Sequence, residues 1–331
     1  MTRIGVNGVG RIGRCFFRAA FEAGLDVVAV NDVVTASTIA HLLKYDSVFG
    51  RFPAEVGTSE DGFSINGKTV RVFTARDPSE IPWKKMGVDI VVESTGLFTK
   101  RDLAAKHLTA GAGKVIISAP ADNPDVTIVP GVNSEKYDPT AHKVVSMASC
   151  TTNCVAPIAK VIHELYTIRH GFMTTVHAYT GEQRLQDSPH RDLRRARAAA
   201  LSIIPTTTGA ARAVAEVLPE LKGKLDGVAL RVPVPDASIV DLVADVETET
   251  TVDSVNDAFR KTVQGPIGKI IEYCEDPIVS ADIIRNPHSA VFDSKLTMVI
   301  NRKLVKVFAW YDNEWGYSNR LVDLIKLMSR N

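Results

Sequence analysis

At 331 residues the chain is long enough for about two domains of ordinary size, and 45% hydrophobic with 23% charged residues is an ordinary globular balance with room for a large core. A net charge of +1 gives no electrostatic reason to bind nucleic acid or an anionic membrane as a main role, and no apolar run approaches the roughly 18 residues of a membrane span. Four cysteines are too few for a disulfide scaffold in a chain this size, so a reducing, cytoplasmic setting is expected.

Thr2-Arg3-Ile4-Gly5-Val6 lacks the basic and apolar regions of a signal peptide and reads as a strand. It runs into Gly8-Val9-Gly10-Arg11-Ile12-Gly13, a G-x-G-x-x-G turn, and then a helical stretch over Arg11–Glu22. In such a turn Gly8 allows a tight bend, Gly10 lets backbone approach a pyrophosphate, and Gly13 lets helix and strand pack closely. The helix would aim its free amides and positive dipole end at the diphosphate. A second strand over 26–30 leads to Asp32, 19 residues after Gly13, where an acid holds adenosine ribose hydroxyls and repels the extra phosphate of NADP. NAD is the expected cofactor.

Further along, a helical pattern covers Ala36–Lys44, and Asn66-Gly67 inside 63–70 signals a hairpin. Apolar strands follow over 89–93 and 114–118. Strand–helix alternation of this kind implies right-handed βαβ units in a doubly wound parallel sheet. The pattern changes near residue 150. A helix over about 151–166 precedes strands over 172–179, 228–234, 238–247 and 305–311, which read as an α+β domain with a mainly antiparallel sheet. The fold class is therefore α/β, an N-terminal Rossmann domain joined to an α+β domain. A last helix over 319–328 puts Leu321, Leu324, Ile325 and Met328 on one face. The long segment 181–203, rich in His and Arg, reads as a functional or interface loop.

Ser149-Cys150-Thr151-Thr152-Asn153-Cys154 follows a strand-like 143–147 and opens a helix. A cysteine there meets the positive end of the helix dipole, which is expected to lower its pKa and raise the thiolate fraction. His177, on the strand Thr174-Thr175-Val176-His177, is the base in reach of the pattern. A lone cysteine is more often an inert small hydrophobe, and a lone strand histidine is more often structural. Spacing alone leaves both readings open. Cys154, one turn on, is expected to pack, and Cys-x3-Cys without a partner cluster gives no metal site.

Ala148-Ser149-Cys150-Thr151-Thr152-Asn153-Cys154 resembles the active-site signature of the phosphorylating glyceraldehyde-3-phosphate dehydrogenases. The resemblance extends through Asn7–Arg14 in numbers 7–14, Leu43-Lys44-Tyr45-Asp46-Ser47, Glu93-Ser94-Thr95-Gly96, Pro205-Thr206-Thr207-Thr208-Gly209 and Trp310-Tyr311-Asp312-Asn313-Glu314-Trp315. It implies Cys150 as nucleophile and His177 as its base. Gly8, Gly10, Arg11, Ile12, Gly13, Asp32, Arg76, Ser118 and Asn313 would hold NAD, with Asn313 on the nicotinamide amide. Thr180 and Arg231 would bind the phosphate of glyceraldehyde 3-phosphate, and Ser149, Thr151, Thr208, Gly209 and Arg195 the incoming inorganic phosphate. Arg194 and Arg197 are equally readable as a solvated charge cluster. The resemblance also implies a homotetramer, an NAD-binding domain over 1–149, a catalytic domain over 150–313, and a closing helix over 314–331 that packs on the first domain.

Two departures stand out. The family usually reads Thr-Asn-Asp-Gln where this chain has Thr180-Gly181-Glu182-Gln183, and many NAD-specific members carry leucine where this chain has Ser188. The rival readings are an erythrose-4-phosphate dehydrogenase, in which water takes the acyl group, and a binding or regulatory protein on the same scaffold.

Overall fold

The computed structural model describes residues 1–59 and 61–329. Backbone contacts divide the chain into two compact units, one of 1–130, 134–148 and 318–331, the other of 131–133 and 149–317.

In the first unit a nine-stranded sheet runs in the order Val126–Thr127, Val144–Ser146, Lys114–Ile117, Ile90–Glu93, Arg3–Asn7, Asp26–Asn31, Lys68–Phe73, Gly62–Ile65, Val56–Ser59. Its first seven strands are parallel. Their near-continuous Val and Ile runs suit strands covered on both faces, and Ile4, Val6, Val30, Val91, Val92 and Ile116 are fully buried. Chain order reverses beside Arg3–Asn7, which lies between Ile90–Glu93 and Asp26–Asn31, so a crevice opens where that strand ends. The expected Asn-Gly hairpin joins Gly62–Ile65 to Lys68–Phe73, with Asn66 at φ +49° and Gly67 at φ +80°, the backbone of a type I′ turn. The last helix spans Trp315–Met328, starting earlier than its apolar spacing implied, and buries Leu321, Leu324, Ile325 and Met328. Within the first unit, Lys114 Nζ donates to Met328 O at 2.9 Å.

The second unit holds a seven-stranded sheet ordered Ile204–Thr207, Leu225–Val232, Ile168–Ala178, Ser238–Val246, Leu304–Tyr311, Ala290–Ile300, Ile271–Cys274. Four of its six neighbouring pairs are antiparallel. Strict alternation along Ser238–Val246 buries every second side chain. The helices Cys150–Tyr166, Ala210–Val217 and Val252–Thr262 pack on this sheet. Three strands escape a period-two reading. Ile204–Thr207 carries Pro205 and sits at the sheet edge, where a missing N–H is tolerated. Ile271–Cys274 is short, and Ala290–Ile300 is irregular between Asp293 and Met298. Residues 181–203 form no regular element beyond one isolated bridge between Arg184 and Ala198.

Among the described residues no helix is long and apolar enough to cross a membrane.

Candidate active site

The glycine turn is built by contact. Gly8 has φ +89°, and a Cβ there would meet Thr95 N at 2.7 Å; a Cβ on Gly13 would meet Gly8 O at 2.1 Å. Both glycines are demanded by the protein's own packing. A Cβ on Gly10 would meet nothing within 4 Å, so its glycine leaves backbone open to the cleft. Asp32 Oδ2 accepts from Val9 N at 2.6 Å and pins the turn. Gly8, Gly10, Asp32, Arg76, Thr95 and Phe98 help line a cleft of about 310 Å³. Exposed backbone at Gly10, a helix start and an acid at the next strand end fit a dinucleotide.

The remaining residues assigned to the cofactor take varied places. Arg11 is half-buried over the Phe49 ring at 5.5 Å and bonded to Asp46; Ile12 is half-buried in the first helical turn. Ser118 follows the strand Lys114–Ile117, and its N–H donates to Glu93 O at 2.9 Å. Asn313 belongs to the second unit, where Ser238 Oγ donates to its Oδ1 at 2.7 Å.

Beneath the turn lies a buried network that the sequence did not disclose. Glu93 accepts from Asn7 Nδ2 at 2.6 Å, from Thr95 N at 2.8 Å and from the Thr95 hydroxyl. Trp83 Nε1 donates to His107 Nδ1 at 2.9 Å, which leaves His107 Nε2 to donate to Glu93 Oε2 at 3.0 Å. The only sequence signal was the Glu93-Ser94-Thr95-Gly96 run.

The second site begins at Ala148, whose φ of +55° is unusual for a residue with a side chain and costs on the order of 1 kcal/mol. The chain then enters the helix Cys150–Tyr166. Ser149 is its N-cap, with Oγ accepting from Thr152 N at 3.0 Å, which sets Cys150 in the first turn. Cys150 Sγ lies 3.4 Å from His177 Nε2. His177 comes from the end of Ile168–Ala178, pairs in register with Arg231 on the parallel strand Leu225–Val232, and is 4% exposed.

Ala178 O, an acceptor only, stands 2.7 Å from His177 Nδ1. That bond puts the ring proton on Nδ1 and assigns the Nε2 lone pair to the side of Cys150. Arg231 Nη1 donates to the same carbonyl at 3.1 Å and sits 2.9 Å from Nδ1. Burial and the Arg231 charge push the His177 imidazole down to about 3, against the pull of its bond to Ala178 O. Burial also pushes the Cys150 thiol up, opposed by Arg231 and by the Thr151 hydroxyl and N–H. This corrects the lowered pKa expected from the helix terminus: desolvation outweighs the Arg231 guanidinium and the local hydrogen bonds. Cys154 is fully buried, lies 3.7 Å from Ala309 O, and burial raises it well above an ordinary thiol. Among the described residues none of the four cysteines forms a disulfide.

Tyr311, unassigned from the sequence, underpins this pair. Its hydroxyl bonds Thr151 Oγ1 and Thr175 Oγ1, each at 2.9 Å, and its ring meets His177 edge-on with centroids 6.0 Å apart. Thr151 therefore turns its hydroxyl inward. Three buried polar atoms have no hydrogen-bond partner among the described residues here: Thr180 Oγ1, Gln183 Nε2 and Arg231 Nε. Gln183 Oε1 accepts from Thr180 N at 3.1 Å. Arg195 Nε donates to Thr206 Oγ1 at 2.9 Å and its Nη1 to Glu182 Oε1 at 2.7 Å. Thr208 Oγ1 accepts from Ala210 N at 3.1 Å, and Gly209 is the N-cap of Ala210–Val217, a helix packed against Cys150–Tyr166. Arg197 pairs with Asp187 on the surface, whereas the Arg194 backbone N–H donates to Asp192 Oδ1 at 2.9 Å.

Residues 2–101 match the family described as "Glyceraldehyde 3-phosphate dehydrogenase, NAD binding domain", and residues 149–313 match its C-terminal domain. The chain is 61% identical to a glyceraldehyde-3-phosphate dehydrogenase of Geobacillus stearothermophilus, covering 98% of this chain and 97% of that protein. It is 60% identical to the enzyme of that name from Streptomyces coelicolor and 59% to glyceraldehyde-3-phosphate dehydrogenase 2 of Streptomyces avermitilis, covering 97% of each chain in both cases. With a nucleotide-binding unit on a parallel-rich sheet and a cysteine–histidine pair on a mainly antiparallel one, the chain belongs to the glyceraldehyde-3-phosphate dehydrogenase family.

Proposed function

We propose that the chain oxidises glyceraldehyde 3-phosphate with NAD and passes the acyl group to inorganic phosphate, giving 1,3-bisphosphoglycerate. The observation that carries this reading is the 3.4 Å approach of Cys150 Sγ to the unprotonated Nε2 of a buried His177.

Both groups rest neutral: the thiol is raised by burial and the imidazole lowered to about 3. The thiol proton passes to Nε2 as Sγ adds to the aldehyde carbon, and returns to the new oxyanion, giving a thiohemiacetal. NAD, when bound, supplies the hydride acceptor. Nε2 takes the hydroxyl proton as the thiohemiacetal becomes a thioester. Phosphate then attacks the thioester carbon, and the acyl phosphate leaves as Cys150 recovers its proton. Arg231 keeps the imidazole neutral between turnovers, so Nε2 is ready to accept.

Thr180 and Arg231 bind the substrate phosphate, using the hydroxyl and Nε that lack protein partners among the described residues. Ser149, Thr151, Thr208, Gly209 and Arg195 serve the incoming phosphate, with Thr151 contributing chiefly through its backbone because Tyr311 holds its hydroxyl. Gly8, Gly10, Arg11, Ile12, Gly13, Asp32, Arg76 and Ser118 hold the cofactor, and Asn313 Nδ2 donates to its carboxamide. The labour divides as 1–149 for NAD and 150–313 for chemistry, with the segment 314–331 serving the first through the helix Trp315–Met328; residues 330 and 331 lie outside the described ones. A homotetramer accounts for the apolar side chains Phe172, Val228, Met298 and Ile300 left exposed on the second unit's sheet. The working compartment is the cytoplasm.

The test follows NADH formation from glyceraldehyde 3-phosphate and NAD with and without phosphate, in the parent and Cys150→Ser. Turnover that needs phosphate and vanishes in Cys150→Ser is expected. Turnover indifferent to phosphate would favour the erythrose-4-phosphate type of reaction, in which water takes the acyl group.

A further inference from the structure

Glu182 sits where neither phosphate-binding arginine is left to itself. A single oxygen, Oε1, lies 2.7 Å from Arg195 Nη1 and 3.7 Å from Arg231 Nη2. The two guanidinium groups are well covered, with 18% and 14% of their side chains exposed, whereas the Glu182 side chain is 49% exposed. Gly181 before it is exposed and has open space where a side chain would stand, so nothing on that side walls Glu182 in.

We infer that Glu182 is a displaceable counter-ion for both phosphate subsites, its carboxylate oxygen standing in for a phosphate oxygen, and that it sets how tightly the chain binds inorganic phosphate. The inference rests on the assignment of Arg195 and Arg231 to the two phosphates. Two dianions and a carboxylate cannot share two guanidinium groups at close range, because like charges a few ångströms apart repel strongly outside bulk water. The better-covered arginines stay, and the exposed glutamate is the group free to swing into solvent. Each phosphate that binds must therefore first take a guanidinium from Glu182. Asp192 does not share this position: its Oδ2 is 3.6 Å from Arg195 Nε and is already bonded by the Thr206 hydroxyl at 2.9 Å.

The experiment compares the intact protein with Glu182→Gln and Glu182→Asp, measuring KM for phosphate, kcat, and inhibition by sulfate, an unreactive anion of similar shape. Removing the charge is expected to lower KM for phosphate and the sulfate inhibition constant by about threefold to tenfold, the span of one partly exposed ion pair. Glu182→Asp, which keeps the carboxylate, is expected to stay near the parent. Unchanged or weakened anion binding in Glu182→Gln would overturn the inference and make Glu182 a support for Arg195. Equal tightening in both variants would overturn it too, since the effect would then be size rather than charge. Phosphate-dependent turnover of the parent is read in the same assays, so failure of the underlying assignment shows separately.

Discussion

His177 and Arg231 are direct register partners on adjacent parallel strands, and the guanidinium Nη1 stands 2.9 Å from His177 Nδ1. Side chains opposite one another on a sheet must share a face, so the pairing forces a permanent cation against the imidazole. The same arginine draws the Cys150 thiol down while burial pushes it up. One residue thus biases both partners of the pair, disfavouring imidazolium and favouring thiolate.

Arg231→Gln is accordingly expected to raise His177 above about 3, towards its ordinary 6.5, and to raise Cys150 further. Histidine NMR titration and the pH dependence of iodoacetamide alkylation read the two groups independently. A Cys150 midpoint that moves down would contradict the electrostatic assignment.

His177→Asn removes the base and should cut kcat about 10²- to 10⁴-fold. It should also change acid stability. His177 is neutral when folded down to about 3 but protonates near 6.5 when unfolded. Its contribution is complete above pH 6.5 and is lost as pH falls towards 3, at up to ~1.4 kcal/mol per pH unit. Urea titrations from pH 7 down to 3 should therefore show the parent losing stability relative to the variant once pH falls below 6.5.

Gly10→Ala and Gly13→Ala separate folding from cofactor binding. The new methyl at residue 10 meets open space, so stability should hold while KM for NAD rises about tenfold or more. At residue 13 it meets Gly8 O at 2.1 Å, and a loss of roughly 1–3 kcal/mol in urea stability is expected. Equal stability losses in the two variants would refute the distinction.

Asp236 is 2% exposed, and burial with the nearby Asp312 and Glu314 pushes it up to about 9. It folds as the neutral acid. Because the unfolded value is 3.8, its stability contribution is complete below that pH and is lost as pH rises towards 9. Asp236→Asn should therefore gain stability over the parent at pH 9, by about 1–3 kcal/mol, and the gain should shrink as pH falls. A constant difference across pH would show that no titration is involved.

Asp32 and Ser188 pull cofactor choice in opposite directions. On the proposed cofactor site the Asp32 carboxylate should repel the extra phosphate of NADP, whereas Ser188, where many NAD-specific members carry leucine, should tolerate it. We expect kcat/KM to favour NAD with measurable NADP turnover, and Ser188→Leu to suppress the latter. A ratio favouring NADP in the parent would reverse the ranking of the two residues.

The nucleotide-binding half was legible because its determinants are local. Glycine spacing, a helix start and an acid at the next strand end are all short-range chemistry, and the structure puts Gly8, Gly10 and Asp32 on one cleft. The cap at Ser149 is equally local, and it alone sets Cys150 in the first helical turn. By contrast, the edge strand with Pro205 and the irregular strand Ala290–Ile300 lack the alternation that marks a strand in sequence.

What the sequence by itself determined, then, is which reactive groups exist and the turn or cap that presents each one. Tertiary structure decided their state. Only sheet register set Arg231 beside His177, only burial reversed the expected direction of the Cys150 thiol, and only the loop's path brought Glu182 to both arginines. Caps and turns act over three or four residues, whereas desolvation and charge pairing depend on groups that meet across dozens of residues of chain.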